Sequence, residues 1–230
     1  MLQDIKAVLF DLDGTLVDSM WIWEDIDIRY MEKMNITYNL SDLHENINGM
    51  SFTETAVFFK ETFNIKDSVE EIKEDWVEMA HDYYASKVPL KENVITLLNA
   101  LKAKGIKMGI GTSNSRELVT LILETHGITH YFDSVRTSCE VATGKPSPDI
   151  YLKVAEDLGV QPKECIVFED IEEGVTAANR AGMRSCGIYD EYSKDKKTSI
   201  IAIADYYIHN YSEVLSSIKD ENDEQISANF

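Results

Sequence analysis

The chain has 230 residues, 44% of them hydrophobic, with 41 acidic against 22 basic side chains and a formal net charge of −19, enough apolar content for one large core or a domain carrying an insertion. That charge repels nucleic acid and anionic membranes over most of the surface, so polyanion ligands are excluded and a small phosphorylated ligand needs a site with its own positive charge. The three cysteines form no CxxC pair, which argues against a disulfide framework or zinc site, and with no run reading as a signal peptide or membrane span the expectation is a cytoplasmic protein.

The first predicted element is a strand over residues 5–10 (IKAVLF), a short apolar run such as a strand covered on both faces shows. It leads directly into DLDGTLVDS, residues 11–19. Asp11 and Asp13, two positions apart at a strand end, can face the same way, and Gly14 lets the chain turn sharply beneath an incoming phosphate. That geometry suits in-line attack. A calcium loop of the EF-hand type is rejected, because it needs glycine at its sixth position and Glu at its twelfth, whereas here Gly14 is fourth and Ile22 twelfth.

Residues 17–86 contain no convincing buried strand. Rich in Trp, Met, Tyr, Phe and acidic residues, they predict several amphipathic helices forming a cap inserted between the first and second strands, with hinges near residues 17–19 and 87–89. The aromatics Trp21, Trp23, Tyr30, Phe52, Phe58 and Phe59 are expected to pack within the cap or against the core, with Trp23 the candidate for a substrate contact.

A helix over 91–104 and a strand over 106–111 follow, the strand running into MGIGTSN, residues 108–114. Thr112 offers a hydroxyl to a phosphoryl oxygen, and the backbone N–H groups of Ser113 and Asn114 can approach it. Alone, this motif reads equally as a helix start, with Ser113 or Ser115 capping the helix predicted at 115–126. In TGKPSPDIY, residues 143–151, the proline disfavours a helical conformation at Lys145 and projects the lysine from a loop, where it can neutralise a phosphoryl group. Taken by itself, Lys145 is an ordinary surface lysine beside a helix at 148–158 that starts at Ser147 and Pro148.

The strand predicted at 164–168 ends in VFEDIEEGVTAANRAGM, residues 167–183. Glu169 and Asp170 repel each other at a buried sheet edge unless a cation lies between them and other acids, and Mg2+ is the natural candidate; the alternative is that they complement the dipole of the helix at 171–181. Gly174 inside that helix costs about 1 kcal/mol relative to alanine and predicts close packing against the sheet. Strands at 185–188 and 206–208 complete the alternation, with helices stopping at Gly105, Gly127, Gly159 and Gly182. The result is an α/β doubly wound parallel sheet, a Rossmann-like core over residues 1–16 and 87–218 with the helical cap at 17–86 and a frayed tail at 219–230.

In this order, at four successive strand ends, DLDGTLVDS, Thr112, GKPSPD and FEDIEEGVTAANRAGM resemble the haloacid dehalogenase superfamily, most closely the branch containing β-phosphoglucomutase and small sugar-phosphate phosphatases. The resemblance covers nearly the whole chain. It implies a phosphatase in which Asp11 is the nucleophile that forms an aspartyl-phosphate and Asp13 the general acid and base. Thr112 and Lys145, with Ser113, Asn114 and Gly14, would hold the phosphoryl group. Mg2+ would be bound by Asp11, the Asp13 backbone carbonyl and Asp170, with Glu169 in direct or water-mediated contact.

The dehalogenases of the superfamily lack the second aspartate and need no metal, so the presence of Asp13, Glu169 and Asp170 disfavours carbon–halogen hydrolysis. Mutases of the branch carry a histidine five residues after the aspartate that ends the first motif; here that position is Trp23, and residues 49–55 (GMSFTET) contain no arginine. The resemblance therefore implies hydrolysis of a small phosphorylated metabolite, a sugar phosphate foremost, ahead of a phosphomutase or a noncatalytic phospho-ligand binding protein. Neither the substrate nor the oligomeric state is legible.

Overall fold

The computed structural model describes residues 1–218. The tail expected from Lys219 lies outside the described residues. Six strands form one parallel sheet: β1 (Ala7–Phe10), β2 (Lys107–Thr112), β3 (Ser134–Thr137), β4 (Cys165–Glu169), β5 (Arg184–Ile188) and β6 (Tyr206–Ile208), in spatial order β3-β2-β1-β4-β5-β6. The helices α1 (Met20–Lys33), α2 (Leu40–Ile47), α3 (Phe52–Phe63) and α4 (Val69–Ser86) lie between β1 and β2 in the chain; α5 (Val94–Ala103), α6 (Arg116–Thr125), α7 (Asp149–Leu158), α8 (Glu172–Arg180) and α9 (Lys197–Ile203) alternate with the later strands.

β1 explains the architecture from four residues. All are fully buried, but alternate side chains enter different cores: Val8 and Phe10 pack with Met108, Ile110 and Leu98, whereas Ala7 and Leu9 pack with Tyr151 and Val154 of α7 and Ala177 and Ala178 of α8. A strand covered on both faces has no polar face, hence the unbroken apolar run. β1 pairs with β2 on one side and β4 on the other, which makes its carboxyl end the point where the strand order reverses and a crevice opens.

The strand β3 was not expected from the sequence. Its residues, SVRT, hold no apolar run, and it lies at the sheet edge, paired with β2 alone, with Val135 and Arg136 only half-buried. Pairing to β2 specifies it, and a hydrophobic pattern does not. β2 ends at Thr112, one residue later than expected, which makes that threonine part of the ladder opposite Thr137.

Within the helical segment, Ser51 with Glu54 and Ser68 with Glu71 form capping boxes that start α3 and α4. The buried Trp76 of α4 then gathers Tyr30, Phe52 and Phe59 edge-on at ring separations of 5.5, 5.5 and 5.1 Å. The two chain crossings that join this segment to the sheet run side by side: Asp18 N–H donates to Pro89 O at 3.0 Å, and Lys91 N–H to Leu16 O at 2.9 Å.

Candidate active site

Asp11 follows β1 immediately, its N–H bound to Phe168 O of β4 at 3.0 Å, so the strand ladder sets its position at the crevice. Glu169 ends β4 and Asp170 follows it. One carboxylate oxygen from each of Asp11, Glu169 and Asp170 lies within 4.8 Å of the others, and all three residues are buried. Lys145, from the loop before α7, inserts its ammonium between two of them, 2.6 Å from Asp11 Oδ1 and 2.6 Å from Glu169 Oε1. Thr15 Oγ1 donates to Asp170 Oδ1 at 3.1 Å, and the Tyr151 hydroxyl donates to Glu169 Oε1.

Backbone at two glycines lets these acids converge. Gly14 has φ +76°, and a Cβ there would lie 2.2 Å from Asp170 Oδ2. Gly174 sits where a Cβ would lie 2.0 Å from the Glu169 carboxylate. The close packing expected of Gly174 is therefore packing onto a site acid at the end of β4, and only a glycine leaves room for it.

Three buried acids against one ammonium leave the cluster short of positive charge. Burial, then the neighbouring carboxylates Glu169 and Asp13, push the Asp11 carboxyl up to about 7 against the pull of Lys145. Asp170 is raised well above the usual carboxylate range, by burial first and then by Asp11 and Glu169. Burial disfavours the Lys145 ammonium, but Asp11 and Glu169 outweigh it and raise its pKa. Glu169 Oε2 is buried with no hydrogen-bond partner. An orphaned carboxylate oxygen beside two further acids is a donor set that fits a hard divalent cation bound through oxygen.

Asp13 lies apart from that cluster, in a polar cage. Oδ1 accepts from Ser19 Oγ at 2.6 Å, from the Tyr84 hydroxyl and, at 3.5 Å, from Trp23 Nε1; Oδ2 accepts from Asn114 Nδ2 at 2.8 Å. Tyr84 also accepts from Trp23 Nε1 at 2.9 Å and from Asn114 Nδ2 at 3.0 Å, and its own pKa is raised well above the usual range by burial and by Asp13. Thr112 is buried at the end of β2, its Oγ1 accepting the Asn114 N–H at 3.2 Å. Ser115, the second of the two expected caps, starts α6. Ser113 is turned to the helical segment, donating to Gly49 O at 3.3 Å.

The sequence candidates thus gather into two adjoining groups, Asp11, Gly14, Lys145, Glu169 and Asp170 in one and Asp13, Trp23 and Asn114 in the other. Tyr84, Tyr151, Thr15 and Ser19 were not anticipated. Thr15 and Ser19 stood inside the first motif and could have been read as donors to its acids. Tyr84 reaches Asp13 across 71 residues from the last turn of a helix, and no local pattern marks it. A cavity of about 960 Å3 lies between α4 and α6, and its lining does not include Asp11; the chemistry of the side chains, and not cavity size, locates the site.

Comparison with known proteins supplies the family. The family model described as haloacid dehalogenase-like hydrolase matches residues 8–188. The phosphorylated carbohydrates phosphatase of Thermotoga maritima is 34% identical over 179 residues, covering 78% of this chain and 82% of that protein. In fold, the crystal structure of CbbY from Rhodobacter sphaeroides in complex with phosphate aligns with a TM-score of 0.79 at 23% identity over 91% of this chain and 96% of that one. That of a β-phosphoglucomutase from Clostridium difficile aligns at 0.75 and 24% over 97% and 99%. A match through most of the sheet, with the acids and the lysine brought to one strand edge, establishes that the chain belongs to the haloacid dehalogenase-like hydrolases.

Proposed function

We propose that the protein is a Mg2+-dependent phosphatase that hydrolyses a small phosphorylated metabolite, a sugar phosphate foremost, through an aspartyl-phosphate on Asp11. The observation that carries the reading is the buried convergence of Asp11, Glu169 and Asp170, their carboxylate oxygens within 4.8 Å of one another, with the single ammonium of Lys145 touching two of them. The name of the Thermotoga relative, a phosphatase of phosphorylated carbohydrates, supports the substrate class.

In this reading Lys145 grips one Asp11 oxygen, Oδ1, and the other attacks phosphorus. Thr112 and the Ser113 N–H receive the phosphoryl oxygens, with Gly14 turning the chain beneath them, because the Asn114 N–H is held by Thr112 Oγ1 and the Gly14 N–H by Val17 O. Asp13 hands a proton to the leaving oxygen and later takes one from the attacking water. Three donors, Ser19, Tyr84 and Trp23, already fill Asp13 Oδ1, whereas Oδ2 accepts only from the donor Asn114, so Oδ2 is the oxygen with a lone pair left for the leaving group. Two of these donors, Trp23 and Tyr84, belong to α1 and α4, so the helical segment acts as a cap whose position governs access to Asp13. Asp11, Asp170 and the Asp13 carbonyl, with Glu169 beside them, would hold Mg2+, which supplies positive charge to the anionic group in transfer.

The test is a screen of phosphorylated metabolites, β-glucose 1-phosphate included, with MgCl2 and with chelator, on the native chain and Asp11→Asn. Phosphate release that needs Mg2+ and vanishes in Asp11→Asn is the expected result. Isomerisation without release would make the protein a mutase, and full activity in Asp11→Asn would remove the nucleophile.

A further inference from the structure

The loop carrying Lys145 is held from two sides. From the core, Arg180 Nη1 of α8 donates to Pro146 O at 2.9 Å. From the helical segment, the Glu54 carboxylate accepts the Gly144 N–H at 3.3 Å through Oε1 and 3.2 Å through Oε2. Glu54 is already committed at the start of α3, where Oε2 accepts the Ser51 N–H at 2.7 Å. One carboxylate thus ties the first turn of a cap helix to the residue before the lysine. The approach is close enough that a Cβ on Gly144 would lie 2.5 Å from Glu54 Oε2, 2.7 Å from Ser51 N and 3.0 Å from Gly49 O. Beside it, Phe52 N–H donates to Ser113 O at 3.0 Å, so the same turn also rests on the chain leaving β2.

We propose that Glu54 is a positioning residue: its carboxylate seats the cap on the Gly144 amide and thereby fixes Lys145 against Asp11. The proposal rests on the phosphatase reading for its kinetic consequence but not for its structural one. Capping needs only the Ser51 contact; the additional bond to Gly144 crosses to the core and lies next in the chain to the group that grips the nucleophile. Phosphoryl transfer depends on alignment, so a loosened Lys145 loop lowers turnover even when the fold persists. Gln keeps an acceptor oxygen for both N–H groups. Ser51→Ala removes the reciprocal cap bond to Glu54 N and leaves the Glu54–Gly144 bond in place.

Two measurements on the full chain test this. The first is hydrogen exchange of the peptide spanning Gly144; the second is kcat and KM for p-nitrophenyl phosphate with MgCl2. Glu54→Ala should speed exchange at Gly144 and lower kcat/KM by about tenfold or more, the range for losing a bond to a charged group. Glu54→Gln should stay within about threefold of the native chain. Ser51→Ala should lower the melting temperature without moving either readout, and Gly144→Ala should behave like Glu54→Ala, because the seat has no room for a methyl group. Unchanged exchange in Glu54→Ala overturns the seat, and faster exchange with unchanged kinetics overturns the positioning role. Full activity in Asp11→Asn would instead sink the phosphatase reading and leave the exchange result standing.

Discussion

Asp11 carries two predictions at the scale of single residues. In the metal-free protein its folded-state pKa of about 7 lies above its ordinary value of 3.8, so the folded state holds the proton more tightly than the unfolded chain. Its contribution to stability is complete below the ordinary value and is lost as pH rises through about 7. Asp170 acts in the same direction. Thermal melts in chelator should therefore fall from acid toward neutral pH more steeply in the native chain than in Asp11→Asn. In the proposed reading added MgCl2 should raise the melting temperature more at alkaline than at acid pH, because the cation would bind the ionised acids. Tyr84 gives a further expectation. Tyr84→Phe keeps the packing volume but removes one donor from Asp13 and the acceptor of Trp23 and Asn114, so kcat for an alkyl phosphate should fall and the fold should lose about 1.5–3 kcal/mol, read as a lower melting temperature. An unaltered kcat would show that Ser19 and Asn114 suffice to hold the acid.

At the scale of elements, α8 shows local propensity giving way to the site. Alanine at Gly174 improves the helix by about 1 kcal/mol in isolation, but its Cβ would meet the Glu169 carboxylate at 2.0 Å. Gly174→Ala should therefore weaken Mg2+ binding, read by titration calorimetry, and lower phosphatase activity; a variant that binds Mg2+ normally would show that Glu169 can move aside at no cost. The same competition appears in β1, whose four buried residues serve two cores and end at Asp11, the proposed nucleophile. The strand is rigid because both faces are packed, and that rigidity is what a group poised for in-line attack requires.

For the whole molecule, the helical segment is seated on the core with Asp13 half-buried beside Trp23 and Tyr84, and in the proposed reading the seat opens during turnover. Thr53 Oγ1 of α3 lies 3.3 Å from Cys139 Sγ of the core. Thr53→Cys would place two thiols face to face across the seam. Oxidation should then halt turnover and a reducing agent restore it, while the reduced variant works normally; continued turnover when cross-linked would show that substrate enters without the segment lifting. The net charge of −19 adds a long-range repulsion of anionic substrate, which the buried Lys145 offsets at short range.

The fold class and the strand-end acids were legible in the sequence because both depend on short-range patterns. An apolar run of strand length followed by Asp-x-Asp-Gly needs no distant information, and neither do helices that stop at Gly105, Gly127, Gly159 and Gly182, all with φ between +64° and +73°. β3 escaped because an edge strand half open to solvent carries no apolar signature and takes its conformation from its neighbour. Tyr84, Tyr151 and Glu54 escaped for a related reason. A tyrosine on a helix or a glutamate in a capping box looks alike whether it faces water, a buried acid or the amide of a distant loop, and only the packing of α3, α4 and α7 against the rest of the chain decides which. Local sequence chose the elements and the chemistry at their ends; tertiary contact alone chose the partners, because burial and hydrogen bonding between distant segments are properties of the assembled chain.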